Sequence, residues 1–236
     1  MNTWQENQLQ ALQSVQSEQQ LFQTMLLFSE ELGFDHCAYG LRMPLPMTNS
    51  GIFMFNNYPT AWQAQYQAKN YLAIDPTVQH AMRSLLPILW SDELFRPASD
   101  LWEEARSFGL RHGWAQSIRD FNGTIGMLTL ARSNEPITKT ELDAKRFKMA
   151  WLAQTAHLGM SQCLTPKLMP EVDVKLSNRE IAVLRWAADG KTASEISCIL
   201  NIAERTVSFH INNVITKLNA TNKTSAAIKA AMLGLL

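Results

Sequence analysis

Charged side chains are scarce in this chain, at 18% of 236 residues, against roughly 25% in globular proteins generally. Basic and acidic residues number 21 each, so no strong overall field draws the whole molecule to polyanions. The three cysteines, Cys37, Cys163 and Cys198, are far apart and form no C-x-x-C pair. That excludes a disulfide framework or cysteine zinc site and suits a reducing cytoplasm. No apolar run reaches the roughly 18 residues that span a bilayer, so no membrane partner is expected. The first residues, MNTWQENQLQ, are too polar for a signal peptide. Five histidines, His36, His80, His112, His157 and His210, are scattered; His112 in RHG reads as structural or as a helix end. H-E-x-x-H, G-x-S-x-G and the P-loop are all missing, so no metal, cofactor, catalytic residue or enzyme activity is expected. Internal repeats and low-complexity tracts are also absent.

Apolar material is plentiful. Hydrophobic residues make up 46%, including seven Trp, ten Phe and four Tyr, enough for a large core and an internal apolar pocket. Charge is unevenly placed. From Glu171 onward eight basic residues face six acidic ones, a net of +2, which leaves −2 for the rest. A basic tail domain on an acidic body suits an anionic partner. Pro166 and Pro170 mark an extended linker at 164–174, separating a first domain at 1–163 from a second at 175–236.

The first domain mixes helices and strands. Ser17–Gln20 (SEQQ) resembles a capping box; Leu21, Met25, Phe28 and Leu32 follow at helical spacing, and Gly33 stops the helix. His36–Arg42 and Ile52–Asn56 read as strands. Pro59–Lys69 reads as a helix with Pro in its first turn, and Asp75-Pro76 as another helix start. Trp114–Arg119 and Thr124–Arg132 flank Asn122-Gly123, a strong hairpin signal. Thr138–Ser161 reads as one long helix. Regular β-α-β alternation is missing, so the expected fold is α+β, an antiparallel sheet flanked by helices.

The second domain reads as four helices. Ser177–Glu180 and Thr192–Glu195 are capping boxes; Ile181, Leu184 and Ala188 share a face, with Gly190 as stop. Ile196, Ile199 and Leu200 follow the second box. A short helix ending at Asn201, a tight turn and a longer helix from Glu204 to Leu218 make a helix-turn-helix; a fourth helix covers Lys223–Leu233. On the long helix Val207, Ile211, Val214, Ile215 and Leu218 form one apolar stripe. Arg205, Ser208, Phe209, Asn212 and Thr216 form the other face, with Thr206 beside them. In helix-turn-helix proteins the second helix enters the major groove. Asn212 can bond adenine and Phe209 can meet a thymine methyl; Arg205, Lys191, Lys217 and Lys223 suit phosphates, and Thr192 is a further candidate DNA contact. The pattern alone equally fits an ordinary bundle with a solvated polar face.

In the first domain Tyr58, Trp62 and Tyr66 fall four residues apart, which places them on one helix face. Asp75 follows, then Thr77 and Trp90. Aromatic walls with a few polar groups are the usual form of a small-molecule site. Such a stripe is also common in plain cores, and an Asp before Pro is commonly just an N-cap.

Two stretches carry a family resemblance. REIAVLRWAADGKTASEI and ERTVSFHINNVITKLNATNK, within 175–236, resemble the DNA-binding domain of LuxR-type regulators. NYPTAWQAQYQAKNYLAIDPT with PILW, within 21–158, resembles the autoinducer-binding domain of LuxR-type quorum-sensing receptors. The resemblance implies a regulator that binds an N-acyl-homoserine lactone and, as a homodimer, a palindromic double-stranded DNA site. It implies that Trp62 donates to the lactone carbonyl, Asp75 accepts the ligand amide N–H and Tyr58 donates to the acyl carbonyl. Trp90 packs on the lactone ring and Tyr66 lines the acyl channel, while Thr129 and Thr77 add polar contacts. Some relatives carry Ser at the position of Ala38; many carry a basic residue at Ser208 and some at Asn212, and often a Ser cap where Ala203 stands here. A phosphorylation-controlled response regulator would need an α/β receiver, which the first domain does not resemble. Lactone hydrolysis would need a nucleophile or metal cluster, which is not found.

Overall fold

The computed structural model describes residues 17–44, 51–121, 123–168 and 174–236. The chain divides into two compact units, with one boundary at 164/165.

The first unit is built on a five-stranded sheet. Its elements are α1 (Glu18–Glu31), β1 (His36–Arg42), β2 (Ile52–Asn56), α2 (Thr60–Ala68), α3 (Pro76–Ala81), β3 (Ile88–Leu89), α4 (Asp92–Phe95), α5 (Ser99–Ser107), β4 (His112–Arg119), β5 (Ile125–Arg132) and α6 (Lys139–Leu168). The strands run in the order β2-β1-β5-β4-β3, all neighbours antiparallel. This is the α+β architecture expected. Alternation along a strand sends successive side chains to opposite faces, and here both faces are covered. Cys37, Tyr39 and Leu41, all fully buried, share one face of β1. On that side α1 packs on β1, and the Tyr39 hydroxyl lies 2.8 Å from His157 Nδ1 on α6. The other face, with Ala38, Gly40, Met127 and Thr129, turns to a cavity walled by α2, α3 and α5.

Local signals explain most starts and stops. Ser17 caps α1 by accepting from the Gln20 N–H at 3.3 Å, and Gly33 ends that region at φ 84°, a left-handed value that glycine adopts without penalty. Three elements depart from the sequence reading. Pro59 occupies the N-cap of α2 rather than its first turn, so Tyr58 precedes the helix and does not share its face. β4 and β5 pair as a hairpin, but five residues separate them where the sequence reading leaves four, because β5 begins at Ile125 rather than Thr124; Asn122 lies outside the described residues. Helix α6 runs on to Leu168, so residues 164–168 of the expected linker are helical, and 169–173 lie outside the described residues.

The second unit contains α7 (Asn178–Ala188), α8 (Ala193–Leu200), α9 (Glu204–Lys217) and α10 (Lys223–Met232). Both capping boxes form, Ser177 with Glu180 and Thr192 with Glu195. Asn201 closes α8 at φ 51°, making the tight turn before α9. Val183, Ala187, Ile196 and Val207 form the core, and Val214 and Leu218 are fully buried as well. The buried stripe of α7 is Val183, Leu184 and Ala187 rather than Ile181, Leu184 and Ala188. On α8 Ile196 is fully buried, whereas Ile199 is 44% exposed. Among the described residues no helix is long and apolar enough to cross a membrane.

Candidate ligand cavity and nucleic-acid interface

The cavity of the first unit has a volume of about 490 Å³, within the range of small-molecule sites. Tyr58, Trp62, Tyr66, Asp75, Thr77, Trp90 and Thr129 all line it. Helix α2 carries Trp62 and Tyr66, with ring centroids 5.7 Å apart. Tyr58 reaches the same space from the preceding segment, where its N–H donates to Asn56 Oδ1 at 3.1 Å and its ring stands 5.9 Å from His36. Ala38 and Thr129 sit directly opposite one another on β1 and β5, so the alanine and the hydroxyl residue flank the same point of the wall.

Asp75 is held with care. It is the N-cap of α3, as the Asp-Pro pair indicates, and its Oδ1 accepts from the Thr77 N–H at 2.8 Å and from the Thr77 hydroxyl at 2.6 Å. Oδ2 accepts from the Tyr66 hydroxyl at 2.9 Å. The Val78 N–H also faces this carboxylate, while Oδ2 accepts one hydrogen bond, from Tyr66, among the described residues, so one of its two acceptor positions is open to a further donor. The capping and binding readings of Asp75 are therefore compatible. Burial pushes its carboxyl above the usual range, partly opposed by the bonds from Thr77 and Tyr66. Burial also pushes the Tyr58 and Tyr66 phenols up, which keeps both as hydrogen-bond donors.

Trp90 lies across β4 at Gly113. A Cβ there would come within 2.6 Å of Trp90 Cε3, so only glycine lets the indole lie down. The ring meets Phe95 and Trp102 edge-on, at 5.8 and 6.1 Å. Its Nε1 is buried and makes no hydrogen bond among the described residues. Sequence reasoning missed much of the wall: Gly40, Met127 and Ile52 from the sheet, Val78 from α3, Met82 just beyond it, and Arg42, whose Nη1 donates to Met82 Sδ at 3.2 Å. Period-2 alternation in β1 and β5 was the available signal, but it gives two faces without saying which meets the cavity.

In the second unit, Arg205, Ser208, Phe209 and Asn212 all project from α9 into solvent, and Phe209 is 59% exposed. No side chain caps α9, whose N-cap is Ala203. Lys191 and Thr206 are half-buried. The Thr192 hydroxyl is engaged within its capping box, accepting from the Glu195 N–H at 3.3 Å. Lys217 is engaged as well: its Nζ donates to the buried Glu180 carboxylate at 2.7 Å. It braces α7 against α9 and is the expected phosphate contact that the geometry favours least.

An aromatic cavity in one unit and an exposed second helix of a helix-turn-helix in the other define a ligand-binding transcriptional regulator. Residues 17–160 match the family model described as autoinducer binding domain, and residues 174–230 match that of bacterial regulatory proteins, luxR family. The transcriptional activator protein AnoR of Acinetobacter nosocomialis is 48% identical over 100% of both chains. The regulatory protein SdiA of Escherichia coli strain K12 is 36% identical over 99% of this chain and 97% of its own. A crystal structure of E. coli SdiA superposes with a TM-score of 0.85 at 36% identity, covering 99% of this chain and 98% of that one. SdiA in complex with octanoyl-rac-glycerol gives 0.83, also at 36% identity, covering 99% and 95%. The chain belongs to the LuxR family of quorum-sensing transcriptional regulators. It is a regulator and not an enzyme.

Proposed function

We propose that the first unit binds an N-acyl-homoserine lactone in the 490 Å³ cavity and that the bound form acts in the cytoplasm as a homodimer on a palindromic promoter site. The observation that carries this reading is Asp75. It is a carboxylate whose Oδ1 is engaged by Thr77, with the Val78 N–H also facing it, and whose Oδ2 accepts one hydrogen bond, from Tyr66, which leaves an acceptor position there, set in an otherwise aromatic and aliphatic wall. That position suits a ligand amide N–H. Trp62 and Tyr58 donate to the lactone and acyl carbonyls, Trp90 packs on the lactone ring, and Thr77 and Thr129 supply further polar contacts. Tyr66, whose hydroxyl is engaged with Asp75, offers its ring to the acyl chain. A ligand that fills this space binds the folded state and stabilises it by mass action. The receptor spans residues 1–163, the connection 164–174 and the DNA-binding domain 175–236. Two copies of α9 reading two half-sites match the two-fold symmetry of a palindrome.

A second reading concerns the head group. SdiA takes octanoyl-rac-glycerol, and the hydroxyls of an acylglycerol can also donate to a carboxylate. Competition calorimetry between N-octanoyl-homoserine lactone and octanoylglycerol separates the two. The lactone reading expects tighter lactone binding and its recovery unchanged from the protein. Sedimentation with a two-half-site duplex then tests the dimer: two chains per duplex are expected, and one chain per duplex contradicts it.

A further inference from the structure

Outside the cavity, one acidic side chain gathers donors from a single short stretch. Glu104 on α5 accepts from Gln65 Nε2 on α2, from Lys69 Nζ at the end of α2, and from the Tyr71 hydroxyl at 2.7 Å on the turn that follows. Residues 65–71 thus converge on one carboxylate 33 or more residues away in sequence. These bonds, Lys69 first, then Tyr71 and Gln65, hold the Glu104 carboxyl down at about 2. Neither Glu104 nor Tyr71 lines the cavity. Both helices that the carboxylate joins do so: α2 through Trp62 and Tyr66, α5 through Leu101 and Ala105. Tyr71 is 4% exposed, and its ring stands 6.0 Å from Trp62 and 5.9 Å from Tyr66. Trp62 meets Phe108, just beyond α5, at 5.6 Å.

We infer that Glu104 is a positioning residue for ligand recognition: it clasps α2 to α5 and, through Tyr71, sets where Trp62 and Tyr66 stand over the head-group end of the cavity. The chain of contacts runs from Glu104 to Tyr71, from Tyr71 to the Tyr66 ring, and from the Tyr66 hydroxyl to Asp75. Releasing the clasp therefore loosens the group that orients the Asp75 carboxylate. Gln65 on α2 and Lys69 at its end also tie the helix to the same carboxylate directly. The aromatic contacts alone hold the two helices together but do not fix the rotation of α2, because ring–ring contacts tolerate sliding more readily than a carboxylate tolerates loss of its donors.

The inference rests on the receptor reading and is tested with two probes, N-octanoyl-homoserine lactone and its ester counterpart, in which oxygen replaces the amide N–H. Dissociation constants for both are measured on full-length wild type, Glu104→Ala, Glu104→Gln and Tyr71→Phe. Glu104→Ala is expected to weaken lactone binding by about tenfold, within the range for residues that modulate a site without touching its ligand. The ester, which has no N–H for Asp75, is expected to lose less, so the lactone-to-ester preference shrinks. Glu104→Gln keeps an acceptor oxygen for Tyr71 and is expected to recover most of the loss. Tyr71→Phe, which removes one hydroxyl, is expected to shrink the preference as well. The inference is overturned if Glu104→Ala and Tyr71→Phe keep the wild-type preference, whether affinity is unchanged or falls equally for both probes. Wild-type protein that ignores both probes overturns the receptor reading itself, and the clasp with it.

Discussion

Gly113→Ala tests how tightly the aromatic wall is built. The added Cβ would sit within 2.6 Å of Cε3, and still nearer two other atoms of the Trp90 ring. Carbon atoms do not approach so closely, and the obstacle is the body of an indole rather than the end of a flexible chain. Trp90 is also pinned by its own backbone, whose N–H donates to the Gly113 carbonyl at 2.8 Å, and by Phe95 and Trp102 on its edges. The ring must therefore lift away from β4. Overpacking of this sort costs about 1–3 kcal/mol. For a chain of this size each kcal/mol lowers Tm by about 2–4 °C. Differential scanning fluorimetry of the unliganded protein reads that loss, and the same scan with saturating N-octanoyl-homoserine lactone reads the damage to the cavity. The double variant Gly113→Ala/Trp90→Leu should recover much of the unliganded stability, because the clash is gone, while the ligand-induced shift stays small. Coupling of this kind is expected only between residues in contact. Gly113→Ala that melts and binds like wild type would refute the reasoning.

Three further outcomes follow from the same structure. Ala203→Ser supplies the missing side-chain cap of α9 and should stabilise the protein by about 0.5–2 kcal/mol, read as a raised midpoint in urea denaturation. Arg205→Ala should flatten the dependence of log K on log salt by about 0.9, measured by anisotropy on promoter DNA, whereas Lys217→Ala should lower stability through the stranded Glu180 and leave that slope nearly unchanged. Glu141 is held down at about 2, chiefly by Arg132 and further by Lys145, from an ordinary 4.5; a depressed carboxylate contributes stability that is full above its unfolded value and is lost as pH falls. Acid unfolding between about 4.5 and about 2 should thus be shallower in Glu141→Gln than in wild type, and equal slopes would contradict the assignment.

The legible parts of the fold were those decided within a few residues. Ser177 with Glu180, Thr192 with Glu195 and Asp75 with Thr77 are local bonds, and each was marked by residue type and spacing. Phase was harder where apolar residues occupy nearly every position. In IAVLRWAA the choice among Ile181, Val183, Ala187 and Ala188 is made by what packs opposite, and periodicity does not contain it. Four-residue spacing continues through Tyr58 and puts it on the helix face, yet Pro59 takes the cap and turns the chain; the tyrosine reaches the cavity all the same. Pro166 reads as a breaker and puts the end of α6 near Ser161, whereas buried Leu164 keeps the helix packed beyond it. Glu104 and Gly113 were invisible for a different reason. Their partners, Tyr71 and Trp90, lie tens of residues away or across a strand pair, and only the folded chain brings them together.

The proposed function requires that the cavity around Asp75 receive an acyl-homoserine lactone. Thermal melting of wild type and Asp75→Asn against lactones of increasing acyl length tests it most directly, since Asn keeps a capping oxygen for α3 while the carboxylate is removed. At a ligand concentration of 100 times Kd, wild type should gain about 2.7 kcal/mol, with a clear dependence on chain length and little or no gain in Asp75→Asn. Wild-type protein that melts at the same temperature with every lactone, or Asp75→Asn that responds as fully as wild type, would contradict it.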